Sequence, residues 1–599
     1  MIKRINAVTA LFILLVSFPA WSEKPDAERH ARHVQALASK QMEGRGVGSK
    51  GLDRARDYLR KEFEKHGLRP AGDNGSFLQT FTVTTGARLK GQNRMEMSLP
   101  GGRRDKLRLR EDFVPFSFSS SGTVQAQVVF AGYGITAPEF NYDDYTHFDV
   151  KDKIVVMLRN EPAAITKKAG RRTMHSSVIN KAINARNHGA KAVILINGRL
   201  EGTEEDRLRR FDSMAGPEDA GVLMLYAKNV VAEKLLKTAG QSLIDVQKGI
   251  DEKPEPNSLA MPKELQLTLS VNLQRMRAQV SNVVGYLPGE TEEYVVLGAH
   301  YDHLGKGSAS SLAPSLIGSV HFGADDNASG TSGLLELARA IQSEPGKRKR
   351  GILFIAFAAE EIGLLGSSYW VNHPTRPLAD AVAMINMDMI GRIKDGKVFV
   401  GGAASGSTFT ALVEQAATQG EVRVDVSGMA GSGSSDHVSF LVKKIPSLFF
   451  FSGLHGDYHK PSDTAEKIDS VAAARLLGVV EEITLRVANG ERPVFNRVEE
   501  ARMPAGGSGG GYGPYFGSIP DFGEDPRGVK FADVRAGSPA EKAGLKSGDI
   551  LTQFGAQAIK NLYDFTFALR QHKPGDVVKV TVLRDSKTLT VDVTLTQRK

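Results

Sequence analysis

The run Val295-Val296-Leu297-Gly298-Ala299-His300-Tyr301-Asp302-His303 decides the reading of this chain. Apolar and small residues lead straight into two imidazoles and a carboxylate. Four further motifs follow in order: Gly323-Ala324-Asp325-Asp326-Asn327-Ala328-Ser329-Gly330, Ala359-Glu360-Glu361, Asn386-Met387-Asp388-Met389, and Tyr458-His459-Lys460-Pro461-Ser462-Asp463-Thr464. Residues 293–299, 351–358 and 381–386 are short apolar runs, as strands buried on both faces must be. Residues 331–341 carry Leu334, Leu335, Leu337, Ala338 and Ile341 at helical spacing. The alternation predicts an α/β fold, a mixed, mostly parallel sheet flanked by helices. His300, Glu360, Glu361 and Asp388 fall at the carboxyl ends of the predicted strands, and Asp326 where a helix begins. That edge of an open α/β sheet is where ligands bind.

The residue types suit a metal pair. Zinc accepts imidazole nitrogen and carboxylate oxygen. Two ions ~3.5–4 Å apart need a bridging carboxylate and terminal ligands on each side. A further carboxylate must stay off the metals to take a proton from water. Neighbouring Glu360 and Glu361 can divide those tasks. The 599-residue chain has no cysteine, so disulfides, thiolate-bound zinc, a cysteine nucleophile and a lipidated N-terminal cysteine are excluded.

In this order the five motifs resemble peptidase family M28, the zinc aminopeptidases. The resemblance spans roughly residues 24–120 and 263–490 and implies a zinc-exopeptidase-like core. It implies His300 and Asp388 on one zinc, Glu361 and His459 on the other, and Asp326 between them. It makes Asp302 the group that orients the His300 imidazole, Glu360 the general base, and Tyr458 a stabiliser of the oxyanion. The implied activity is removal of N-terminal residues from peptides, with two Zn2+ per chain. A carboxypeptidase or dipeptidase on the same scaffold is the alternative, and an inactive peptide-binding adaptor is the alternative from another class. Asp325 competes with Asp326 as the bridging ligand; the Asn-x-Ser-Gly spacing favours Asp326. His303, His321 and His455 lie outside the motifs, and His303 reads as a surface or supporting residue. Asp436-His437 invites a triad with Ser434 or Ser435, but fits a wall of the cleft better.

The rest of the chain reads as additions to this core. Lys3 and Arg4, the apolar run 7–18 and Ala20-Trp21-Ser22 form a signal-peptide pattern over residues 1–22. The apolar run is shorter than the ~20 residues of a spanning helix, so no stable membrane anchor is expected. The mature chain is expected to be extracytoplasmic, periplasmic or secreted. A net charge of +9 without a basic arm gives no nucleic-acid signal. Residues 23–122 are assigned to the first part of the core and 263–495 to its metal-binding part. Within the former, 24–67 read as two helices, the second placing Leu52, Ala55, Tyr58, Leu59 and Phe63 on one face before Gly67. The glycine-rich loop 43–49 between them reads as a plain connection. Residues 123–262 resemble a protease-associated (PA) domain insert through Ala131 to Gly134, the Lys-Asp-Lys-Ile-Val-Val strand and the Gly-Ala-Lys-Ala-Val-Ile run. Residues 496–511 are a glycine-rich linker. Residues 512–599 resemble a β-rich PDZ domain through the Ser-Pro-Ala-x-x-Ala-Gly-Leu-x-x-Gly-Asp-Ile run. That resemblance makes Tyr515, Phe516, Gly517, Ser518 and Ile519 a loop that binds a peptide carboxylate, with peptide or protein C-termini as ligands.

Overall fold

Three large sheets and one two-stranded ribbon hold the strands of the described residues. The structure is a computed structural model that describes residues 24–198, 206–211, 216–253, 255–307, 310–344, 346–426, 435–496, 513–521 and 525–597. The signal-peptide stretch and nearly all of the linker lie outside these residues.

The first sheet carries the metal motifs. Its strands run in the order 69–70, 273–287, 351–357, 294–300, 381–387, 447–451, 397–401 and 423–425. The central four, Gly351–Phe357, Tyr294–His300, Ala381–Met387 and Ser447–Phe451, are mutually parallel. Antiparallel neighbours flank them on both sides. The first three are buried along their whole length, as continuous apolar runs require. The register sets the site. His300 pairs with Phe357 and Gly298 with Asn386, so the segments after each strand leave the sheet at one level.

Helices cover both faces. On one face lie α1 (Ala27–Leu37), α2 (Lys50–Lys65), Gly330–Ser343 and Ser470–Asn489. In α2 the buried residues Leu52, Ala55, Leu59 and Phe63 make the apolar stripe. Ser49 Oγ accepts from the Leu52 amide and starts the helix. Gly67 ends it at φ 71°, a left-handed turn that sends the Leu68 amide back to the Phe63 carbonyl. The opposite face is closed by Trp370 stacked on Phe440.

The second sheet runs in the order 104–107, 94–98, 266–271, 122–131, 154–158, 192–196, 223–227 and 113–115. Its strands Ile154–Leu158, Ala192–Ile196 and Leu223–Ala227 are parallel and wholly buried. This sheet reaches beyond the expected insert. Arg94–Ser98 and Gln266–Val271 lie outside 123–262, yet pair with each other and tie the insert's two ends together. The third sheet, with the helix Leu562–Arg570, forms the C-terminal unit.

That unit is docked. Asp564, on Leu562–Arg570, has no exposed side-chain surface and lies 2.7 Å from Arg186 on the helix Val178–Asn187. Phe567 from the same helix is buried among residues of the second sheet's core. Asp521 accepts from Ser368 Oγ at 3.0 Å and from the Asn372 side-chain amide at 3.3 Å, so the first-sheet domain holds the unit too. Arg186→Ala leaves the Asp564 carboxylate buried without its cation and weakens this docking by about 3 kcal/mol. In calorimetry the C-terminal unit should then melt in a separate, earlier transition; a single wild-type-like transition would show that the pair does not hold it.

Candidate metal centre

His300 closes its strand with the imidazole pointing over the sheet edge, its side chain 1% exposed. Its Nε2 lies 3.2 Å from Asp388 Oδ1, 3.6 Å from Asp326 Oδ1 and 3.9 Å from Glu360 Oε2. On the other side of Asp326, His459 Nε2 lies 3.2 Å from both Asp326 Oδ2 and Glu361 Oε2. Asp326 therefore turns one oxygen to each imidazole. Single ligand atoms of His300, Asp326 and Asp388 all fall within 4.8 Å of one another, and so do those of His303, Asp326 and Glu361. The two clusters share Asp326.

The backbone is shaped for this arrangement. Ala359, Met389 and His459 are non-glycine residues at φ 62°, 55° and 54°. Each holds left-handed backbone at or beside one of the clustered residues, and such strain persists only where the surroundings enforce it. At Ala359 it swings the chain off the strand, so Glu360 faces His300 while Glu361 faces His459.

Two buried carboxylates grip the turns. Asp302 accepts from the Glu360 amide at 3.0 Å and the Glu361 amide at 3.2 Å. Its expected role of orienting His300 is not what the geometry favours: Oδ1 is 3.8 Å from His300 Nδ1, while its own carbonyl is at 3.2 Å. The carboxylate fixes the glutamate pair instead. Asp463 does the same for the other turn, accepting from the Asp325 and Asp326 amides at 3.0–3.2 Å. It stands in the fifth motif, four residues after His459, but no role was expected of it.

The alternatives resolve by hydrogen bonding. Asp325 is consumed: Oδ1 accepts from the Gly391 amide and Ser329 Oγ, and Oδ2 sits 3.1 Å from His455 Nε2. His321 is bonded within its own loop, to Ser311 and Ser319. His303 is not a surface residue. It is buried, and its Nδ1 lies 2.7 Å from Glu361 Oε1. His437 stacks on Phe449 at 4.5 Å, and neither ring nitrogen has a hydrogen-bond partner, so it forms no triad with Ser435; Ser434 lies outside the described residues. The glycine-rich loop is more than a connection. Arg45, buried, donates to the carbonyls of Leu37, Tyr301, Phe322 and Gly323, pinning the loop beneath the His300 turn. Glu43, Gly46 and Val47 then wall a cleft of about 430 Å³ that reaches His303 and Glu361 and includes Leu304 and Ile362.

The electrostatics are those of a cation site. Burial opposes charge on His300, but Asp388 and Glu360 outweigh it and raise its pKa well above the usual range. The same contest, won by hydrogen bonds to Asp326 and Glu361, brings His459 to about 11. Burial works against Glu361, yet His303 and His459 hold it below the carboxylate range. Glu360 makes no imidazole hydrogen bond, and burial drives it well above that range although His300, 3.9 Å away, pulls the other way. Asp388 Oδ1 and His303 Nε2 are buried with no hydrogen-bond partner. Surplus carboxylate, facing imidazoles and carrying orphaned lone pairs, fits divalent cations of the zinc type, which take oxygen and imidazole ligands.

Of the expected carboxylate loop, Phe516 is buried against Phe531, Phe554 and Phe565. Gly517 turns at φ 96° into the strand Ser518–Pro520. Tyr515 bridges to Thr596.

Comparison with known proteins agrees with this architecture. Residues 282–484 match the model of peptidase family M28, residues 124–230 that of the PA domain and residues 504–595 that of the PDZ domain. Aminopeptidase YwaD of Bacillus subtilis is 28% identical over 351 residues, 56% of this chain and 63% of that protein. A probable leucine aminopeptidase of Arthroderma otae is 32% identical over 192 residues, 31% of this chain and 51% of that protein. The chain thus spans between half and two thirds of the length of these relatives. In structure, the aminopeptidase from Aneurinibacillus sp. strain AM-1 aligns with a TM-score of 0.50 at 22% identity, covering 81% of this chain and 99% of that one. Residues 282–484 are thus similar to peptidase family M28, with a stretch similar to the PA domain ahead of the metal-bearing strands and one similar to the PDZ domain after them.

Proposed function

We propose that this protein is a zinc-dependent aminopeptidase that removes N-terminal residues from peptides. The observation that carries the reading is Asp326, whose two oxygens face two separate clusters of imidazole and carboxylate. His300 and Asp388 would hold one Zn2+ and His459 and Glu361 the other, with Asp326 between them. His303, through Nδ1, orients the Glu361 carboxylate. Bound there, the ions would supply Lewis acidity and lower the pKa of a nearby water.

The chain's own groups do the remaining chemistry. Glu360 is the one carboxylate of the adjacent pair without an imidazole hydrogen bond, and burial makes it the stronger base. It takes the proton of the attacking water and returns it to the leaving amine. Burial, then the surrounding carboxylates, keeps the Tyr458 phenol protonated, so it remains a donor for the oxyanion. The cleft walled by Val47, Leu304 and Ile362 receives the apolar part of the substrate. The two relatives named as aminopeptidases support release from the amino end.

Residues 1–22 export the chain and place the mature enzyme outside the cytoplasm. Among the described residues no helix is long and apolar enough to cross a membrane. The PDZ loop Tyr515 to Ile519 binds a peptide C-terminus by strand addition.

Three outcomes follow. A mass-spectrometric time course on peptides with free and with acetylated amino ends should show stepwise loss from free amino ends alone. Loss from carboxyl ends would transfer the site to a carboxypeptidase, and no cleavage would leave an adaptor. Glu360→Gln should lower kcat by about 10²–10⁴-fold while zinc content stays at the wild-type level; unchanged kcat would remove Glu360 from the base role. Finally, zinc must displace the protons that His300 and His459 hold in the metal-free chain. Apparent zinc affinity should therefore rise with pH through the neutral range, and calorimetric titration in buffers of different ionisation enthalpy should register proton release. A pH-independent affinity would mean those imidazoles are not ligands.

A further inference from the structure

A third group of ligand-type side chains lies away from the paired clusters, where α1 meets α2. His33 on α1 and Glu62 and His66 on α2 each place one ligand atom within 4.8 Å of the other two. Glu62 and His66 are four residues apart and share one helix face. Glu62 Oε2 lies 3.6 Å from His66 Nε2. The His33 and His66 side chains are each 10% exposed and that of Glu62 15%. His66 Nε2 is buried with no hydrogen-bond partner. Leaving such a buried polar atom unmet is destabilising. A ring nitrogen aimed at a carboxylate and a second imidazole is what a metal ligand looks like before the ion arrives.

We propose that His33, Glu62 and His66 form a third divalent-cation site, suited to zinc, that fastens α1 to α2. Two imidazoles and one carboxylate match zinc's ligand preference and leave a fourth position for water. His33 Nδ1 lies 2.6 Å from the Tyr58 hydroxyl. When Nδ1–H donates to that oxygen, Nε2 presents its lone pair to the ion, the outer hydrogen bond that ligating histidines use. Glu336 Oε1, 3.8 Å from His33 Nε2, is also bonded to Arg29, so it supports the site rather than completing it. The Lys65 ammonium, 3.0 Å from Glu62 Oε2, occupies the cation's place in its absence; that side chain is 67% exposed and swings into solvent when an ion enters.

The role is structural. α1 is also the helix whose His30 lies 3.0 Å from the Ser329 carbonyl and 3.0 Å from Ser470 Oγ. Ser329 in turn bonds Asp325, beside Asp326. An ion at His33 therefore steadies the layer behind the shared carboxylate without touching a substrate.

The test is independent of peptidase activity. The full-length wild type, Glu62→Gln and His66→Gln are saturated with zinc, dialysed against metal-free buffer and analysed for zinc by mass spectrometry. Each variant should hold one zinc per chain fewer than the wild type, with an unchanged circular dichroism spectrum. Equal zinc content in folded variants overturns the proposal. Should either variant misfold, an anomalous-scattering map at the zinc edge from zinc-grown wild-type crystals decides the matter. A peak among His33, Glu62 and His66 is expected, and none there overturns it.

Discussion

The constraint on which this structure depends is the burial of many carboxylates at one edge of one sheet. Asp302, Asp325, Asp326 and Asp463 are all buried there, and Glu360, Glu361 and Asp388 stand beside them. Each ion taken out of water carries a penalty of several kcal/mol unless it is paired or hydrogen-bonded. The molecule meets that penalty in two ways. Asp302 and Asp463 accept from main-chain amides, and Asp325 from an amide, a hydroxyl and His455, so all three become part of the scaffold. Asp326, Glu361 and Asp388 face imidazoles and keep lone pairs unspent. The division between scaffold and function is thus drawn by which carboxylates find amides.

The fold makes this crowding affordable through register and strain. Four parallel strands end level, so groups on different strands, such as His300 and Asp388, arrive 3.2 Å apart without long side chains reaching. Left-handed Ala359 then separates two adjacent glutamates that a regular strand would carry past the site on opposite faces. Asp302 locks that kink through both following amides. Arg45 closes the floor: one buried cation ties four carbonyls and also offsets part of the negative charge, though burial pulls its own pKa down to about 10.

Much of this was legible in the sequence because chemistry-bearing residues directly follow apolar runs. The strands 294–300, 351–357 and 381–387, and His300, Glu360, Glu361 and Asp388 at their ends, could be read from that adjacency, whereas Asp326 and His459 were named through the motif resemblance. His303 could not. Three residues beyond His300, it would point away from an extended strand's site face; only the fold-back that bridges it to Gly46 brings it against Glu361. Arg45 was hidden for a related reason, since its partners are main-chain carbonyls as far away as Gly323, and carbonyls leave no trace in a residue pattern. The second sheet's extra strands were missed because Arg94–Ser98 finds its partner beyond the whole insert, at Gln266–Val271.

The PDZ unit inherits a consequence from the same economy of buried charge. Its helix Leu562–Arg570 serves three surfaces at once. Phe565, Ala568 and Leu569 face its own core, Phe567 faces the PA sheet, and Asp564 faces Arg186. Asp564 also accepts from the Lys560 amide and so helps fix the turn into the helix. Moving the helix to widen a peptide groove would draw Asp564 off Arg186 and expose Phe567 together. The strand on the groove's other side, Ser518–Pro520, runs directly into Asp521, which is held by Ser368 and Asn372. Both walls of the proposed groove are therefore anchored, one to the PA domain and one to the peptidase domain. A peptide end entering the proposed groove would find both walls already held, and its binding would lose little free energy to reordering.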